Sequence, residues 1–182
     1  PWDDDRQSLL FTPFLRIDGS DDRRTHADIR ELVYQYVGER FELRVGLAKV
    51  FWGVTESRHL VDIVNQTDLV ENLDGEDKLG QPMINLAFAR SWGNLDLFVL
   101  PYARERTYPG RSGRLRSEPM VRTDLARFES GAGRHRFDWA VRYSHSFGDW
   151  DVGLSHFSGT ARAPTLNPVA GAPGEFVLAP FY

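Results

Sequence analysis

Cysteine is absent from the 182-residue chain. That excludes a disulfide framework, a thiolate zinc site and a cysteine nucleophile together. Lysine is nearly absent. Lys49 and Lys78 are the only two, and the rest of the 22 basic side chains are Arg. Arg grips carboxylates and phosphates through a planar fork, which suits a chain that fixes charges in place. Positive charge is not in excess: 26 acidic residues leave a net charge of −4 and a pI near 5.7. That balance argues against an electrostatic nucleic-acid binder. No apolar run approaches the roughly 18 residues of a membrane helix. A membrane β-barrel stays open, because its lipid face shows only as alternate residues. With 41% hydrophobic and 13% aromatic residues, a disordered chain is excluded. The stretch after Pro1 has neither a basic n-region nor an apolar h-region, so no signal peptide is expected within it.

Catalytic and metal signatures are missing too. There is no G-x-S-x-G elbow. Gly110-Arg111-Ser112-Gly113 lacks the strand–loop–helix setting of a phosphate loop. The acidic run Glu71, Asp74, Glu76 and Asp77 does not follow the calcium-loop pattern. His26, His59, His135, His145 and His156 form no close-spaced ligand pair. The expectation is therefore a chain without catalytic residues, metal or cofactor.

What is present is a period of two. Leu9, Phe11, Pro13, Leu15 and Ile17 alternate with their neighbours, and so do Leu32, Tyr34 and Tyr36. Phe41, Leu43, Val45 and Leu47 alternate with Glu42, Arg44, Gly46 and Ala48. The same pattern returns at Ile84–Phe88, Leu95–Pro101, Phe137–Tyr143 and Trp150–Leu154, and a weaker eighth candidate is Phe176–Tyr182. Each run reads as a strand with one apolar face.

The connections between the runs alternate in length. Gly38-Glu39, Gly93-Asn94 and Gly148-Asp149 read as tight hairpin turns. The connections around 18–28, 53–81, 103–134 and 159–175 are long and polar. This rhythm fits an all-β, antiparallel, up-and-down transmembrane β-barrel with short turns at one end and long loops at the other. Aromatics near the strand ends (Tyr34, Tyr36, Phe41, Trp139, Tyr143, Trp150) suit an interfacial girdle. A soluble β-sandwich also alternates apolar and polar positions. An open sheet cannot stand in lipid, because each unpaired edge amide there costs several kcal/mol. Residues 1–182 therefore read as one partial barrel domain of about seven or eight strands, cut at both ends.

Residues 41–69, FELRVGLAKVFWGVTESRHLVDIVNQTDL, carry a resemblance. The spacing of Arg44, Gly46, Val50, Trp52, Gly53, Asn65 and Asp68 resembles proteobacterial outer-membrane porin-like proteins of uncharacterised substrate. In those a strand R-x-G-x-x-x-V-x-W-G runs into a long loop bearing N-x-x-D. The likeness extends more loosely to about residue 101. It implies a passive channel in the Gram-negative outer membrane, whose partners are the bilayer's lipids and small polar or anionic solutes, and no nucleic acid.

On that reading Glu42, Arg44, Asp96, Arg104, Arg106, Asp138 and Arg142 fall on the polar parity and line the pore. Opposed acidic and basic walls would filter solutes by charge and size. The same residues also suit a salt-bridge ladder filling a narrow barrel. Loop 53–81 is long enough to fold inward as a constriction. A short helix over 57–65 is expected there, with His59, Asp62, Asn65 and Asp68 as constriction residues. The Arg-rich loop 103–134 suits either anion attraction at the mouth or neutralisation of lipid phosphates. The alternative of another class is a soluble β-rich ligand- or carbohydrate-binding module, and a third possibility is a barrel enzyme.

Overall fold

The computed structural model describes residues 2–52, 62–72 and 74–182. Seven strands form one antiparallel sheet: β1 (Gln7–Arg16), β2 (His26–Val37), β3 (Glu42–Ala48), β4 (Gln81–Arg90), β5 (Gly93–Leu100), β6 (Asp138–Phe147) and β7 (Trp150–Ser158). Each strand pairs with its neighbour in sequence, so the sheet is a plain meander. β1 and β7 are its two edges, and no closed barrel forms among the described residues. Among these residues no helix is long and apolar enough to cross a membrane, which says nothing of crossing by strands.

Because the order is strict, connections alternate between the ends of the sheet. β2–β3, β4–β5 and β6–β7 turn tightly at one end. The connections 17–25, 49–80 and 101–137 lie at the other. The expected turn at Gly93-Asn94 sits two residues earlier, since Arg90 pairs with Gly93 and Ser91-Trp92 make the turn. The cause is packing. Trp92 stacks on Tyr143 with ring centroids 6.1 Å apart, and the Trp92 carbonyl accepts the Tyr143 hydroxyl at 2.5 Å. Gly93 has φ 127°, and a Cβ there would come within 2.7 Å of the Ser144 carbonyl.

Register sorts the side chains into two faces. Leu9, Tyr34, Val45, Ile84, Val99, Trp139 and Ser158 lie in one cross-strand row. Beside it runs Gln7, Tyr36, Leu43, Leu86, Leu97, Val141 and His156. On this bare face Leu9, Val45, Ile84, Leu97, Val99, Trp139, Val152 and Leu154 are exposed. The opposite face is covered. Val33, Ala48, Met83, Phe98, Leu100 and Ala140 are buried there beneath Trp52 and Val64 of connection 49–80. Trp52 packs on Phe98 at 5.4 Å between centroids.

Two elements differ from expectation. β2 starts at His26, inside what reads as a loop, because register slips between Thr12 and Pro13 where Thr12 faces Glu31 and Pro13 faces Ile29. This bulge flips the parity of β2, so Arg30 joins Val33 on the covered face. The terminal run forms a strand, but outside the main sheet. β8 (Thr165–Ala170) and β9 (Phe176–Phe181) make a separate two-stranded sheet. It docks on connection 101–137 through Leu178 N–H to the Met120 carbonyl and Arg127 N–H to the Pro180 carbonyl, both 2.9 Å.

Candidate functional site

The covered face holds polar groups in two zones. The zone near the tight turns is built mainly from strand residues, with the β2–β3 turn at its rim. Glu42, Ala87, Asp96, Arg142 and Ser155 form one cross-strand row, with Arg44, Asn85, Phe98 and Ala140 in the next. Asp96 sits directly opposite Arg142, an opposite-charge pair of the sort that stabilises neighbouring strands. Arg44 Nε reaches Glu42 Oε1 at 2.5 Å. These four charges border a cavity of about 450 Å³ that also touches Arg40, Arg90 and Ser144. Of the seven expected pore-lining residues, the strands bring Glu42, Arg44, Asp96 and Arg142 together here.

The other three lie at the loop end and do something else. β5 stops at Leu100, so Arg104 and Arg106 belong to the following connection and not to a strand extension. Arg104 Nη2 bonds both oxygens of Asp28 at 3.1 Å, and its Nη1 donates to the Gly80 carbonyl at 3.1 Å. Arg106 Nε donates to Gln66 Oε1 at 3.2 Å. Asp138 is fully buried and faces no open space. It accepts from the Thr160 N–H at 2.9 Å and from Arg162 Nη1 at 3.0 Å, because the segment after β7 folds back over the start of β6.

The loop-end zone holds the described parts of connection 49–80, residues 49–52, 62–72 and 74–80, against the sheet. Asn65 accepts from Val50 N–H at 2.8 Å and donates to the carbonyls of Ala48 at 2.8 Å and Leu79 at 2.9 Å. Asp68, with no exposed surface, accepts from Arg30 Nη1 at 2.7 Å, the Thr107 hydroxyl at 2.6 Å and Val70 N–H at 3.2 Å. Burial alone would raise the Asp68 carboxyl. The hydrogen bonds from Thr107 and Arg30 outweigh it and hold the group below the usual carboxylate range. Asp62 accepts from the Trp52 N–H. His59 and most of the expected helix over 57–65 lie outside the described residues, and 62–65 are not helical. Gly53 also lies outside, whereas the other members of the resembling motif act together. Arg44 and Gly46 are in β3, Val50 and Trp52 cover the sheet, and Asn65 and Asp68 fasten the chain that returns to β4.

Sequence reading missed Arg30 and Arg162. Arg30 is hidden by the bulge, which shifts it onto the covered face. Arg162 donates through Nε to the Val64 carbonyl at 2.9 Å and through Nη1 to Asp138. Its partners lie far off in the chain, so no local pattern marks it. His26, Asp68 and Glu71 bring ligand-type atoms within 4.8 Å of one another. Arg30 already holds Asp68, and Arg16 holds Glu71 at 2.7 Å. Two guanidinium groups at the cluster oppose the charge of a cation, although Glu71 Oε1 and His26 Nδ1 make no hydrogen bond of their own among the described residues.

No protein-family model, no curated protein and no solved structure matches this chain.

Proposed function

We propose that the chain is part of an outer-membrane β-barrel that lets small polar or anionic solutes diffuse passively, in the manner of a porin. One observation carries the reading: an apolar band runs across the sheet on a face that no other part of the described chain covers. Burying one Val, Leu or Ile side chain is worth about 1.5–3 kcal/mol. A band of this width left in water would forfeit a sum comparable to a whole domain's net stability, about 5–15 kcal/mol. Hydrocarbon removes that loss.

Two further observations support the reading. Exposed aromatics lie near the tight-turn end (Trp2, Phe41, Trp92, Phe147 and Trp150) and also toward the loop end (Phe51 and Phe137), the two levels at which a membrane–water boundary would fall. The opposite face carries Glu42, Arg44, Asp96 and Arg142 around a cavity, where a solute would meet both signs of charge. The connections packed on that face would narrow the passage at the loop end, with Asn65 and Asp68 fixing the constriction to the wall.

The test is electrophoresis of the full-length protein in detergent, boiled against unboiled, followed by conductance in a planar bilayer. A heat-dependent change in mobility together with ion-conducting steps is expected. Identical mobility, with solubility in the absence of detergent, would sink the proposal in favour of a soluble β-rich binding module.

A further inference from the structure

We propose that the loop end carries a seat for the phosphate headgroup of a membrane lipid, in the cleft between residues 111–122 and the β8–β9 hairpin. The cleft is about 580 Å³, and Arg111, Arg116 and Arg122 are among the residues that line it. Pro119, Met120, Phe176 and Val177 give the same cleft apolar surface, with Phe176 70% exposed. Guanidinium groups together with an exposed ring and aliphatic surface in one cleft match an amphiphile: phosphate at the arginines, the start of an acyl chain on the apolar residues.

The cleft is built, not a chance gap between loops. Backbone hydrogen bonds at 2.9 Å from Leu178 N–H to the Met120 carbonyl and from Arg122 N–H to the Leu178 carbonyl tie its two walls together. Two of the three guanidinium groups are held in place. Asp124 takes the Nε and Nη2 hydrogens of Arg122 at 2.7 and 2.6 Å, and Glu118 takes Nη2 of Arg116 at 2.8 Å. Each hold leaves further N–H groups free for a second anion, because guanidinium offers five donors. Arg111 has no acidic partner among the described residues. Glu118 and Glu175 also line the cleft, and their charge opposes an anion, so the site selects for a ligand that the apolar wall retains as well.

The cleft's chemistry stands on its own residues; only its position beside a bilayer rests on the barrel reading. The experiment therefore avoids bilayers. Fluorescent phosphatidic acid is carried in neutral detergent micelles and titrated with the full-length protein, and binding is read as anisotropy. Saturable binding is expected, weakened at least fivefold in the Arg111→Gln/Arg116→Gln/Arg122→Gln variant and unchanged in Arg40→Gln at the opposite end of the sheet. Glu175→Gln should bind at least twofold more tightly, an effect that misfolding cannot produce. Equal binding of a phosphatidylcholine probe, displacement by millimolar inorganic phosphate, or indifference to both the triple and the Glu175 substitutions would each overturn the proposal. A protein that fails the heat-mobility test yet binds the probe in this pattern would lose the barrel reading and keep the cleft.

Discussion

A single carboxylate, Asp68, gathers three segments: Arg30 of β2, Thr107 of connection 101–137 and its own neighbour Val70. Breaking a buried ion pair by removing one partner costs about 3–5 kcal/mol, because the remaining charge is left uncompensated. Asp68→Ala should release connection 62–80, seen as a loss of amide-exchange protection over those residues while the strands stay protected. The pH dependence follows from the lowered carboxyl. An acid whose folded value lies below its unfolded one stabilises the fold above the unfolded value, near pH 4, and that contribution fades as pH falls through the folded value. Protection of 62–80 should therefore drop below about pH 4 in the parent chain, and far less so in Asp68→Asn. Asp68 and Asn65 stand out in the sequence as part of a spaced motif, but what they hold does not. Arg30 becomes a partner only through the bulge, and the Asp138–Arg162 pair joins positions that no spacing rule connects.

At the scale of the element, the seven strands of the sheet were legible because one face of each repeats every second residue. β3 is the clearest, with Leu43, Val45 and Leu47 on the bare face and Glu42, Arg44 and Gly46 on the other. Period two fails where the backbone breaks register. It lost the first half of β2 at the bulge, and it lost β8, where Pro168 and Asn167 carry no alternation. Gly46 shows what the pattern cannot say. Its φ is 135°, and a Cβ there would lie 2.0 Å from the Leu32 carbonyl, so β2 and β3 can approach only across a glycine. Gly46→Ala should destabilise the chain by about 2 kcal/mol or more in denaturant titration, since backbone strain of this kind costs about 1–3 kcal/mol before any clash. Gly153→Ala in β7, where a Cβ meets open space, is the matched control and should stay within about 1 kcal/mol of the parent.

The whole molecule is a sheet with one face covered by its own loops and one face bare. The 182 residues contain no cysteine, so a cysteine introduced on the bare face is the only one among them. Nitroxide labels on Val45→Cys, Ile84→Cys and Val99→Cys should, in reconstituted full-length protein, relax readily with oxygen and poorly with a water-soluble nickel chelate. Arg44→Cys and Arg142→Cys should show the reverse. Equal chelate access at all five positions would remove the lipid-facing assignment.

The two faces also differ in how far apart along the chain their contacts lie. Each strand meets the one beside it in sequence, across one turn or one connection. The cap adds ties over much greater separations: Val64 with Arg162, Asp21 with Gly110, Asp28 with Arg104, Arg106 with Tyr182. Closing long segments costs entropy that nothing repays until both ends have found each other, whereas hairpins zip up cheaply one after another. The topology therefore lets the hairpins form ahead of the cap, whose last ties, Arg162 to Val64 and Tyr182 to Arg106, wait for the end of the described chain.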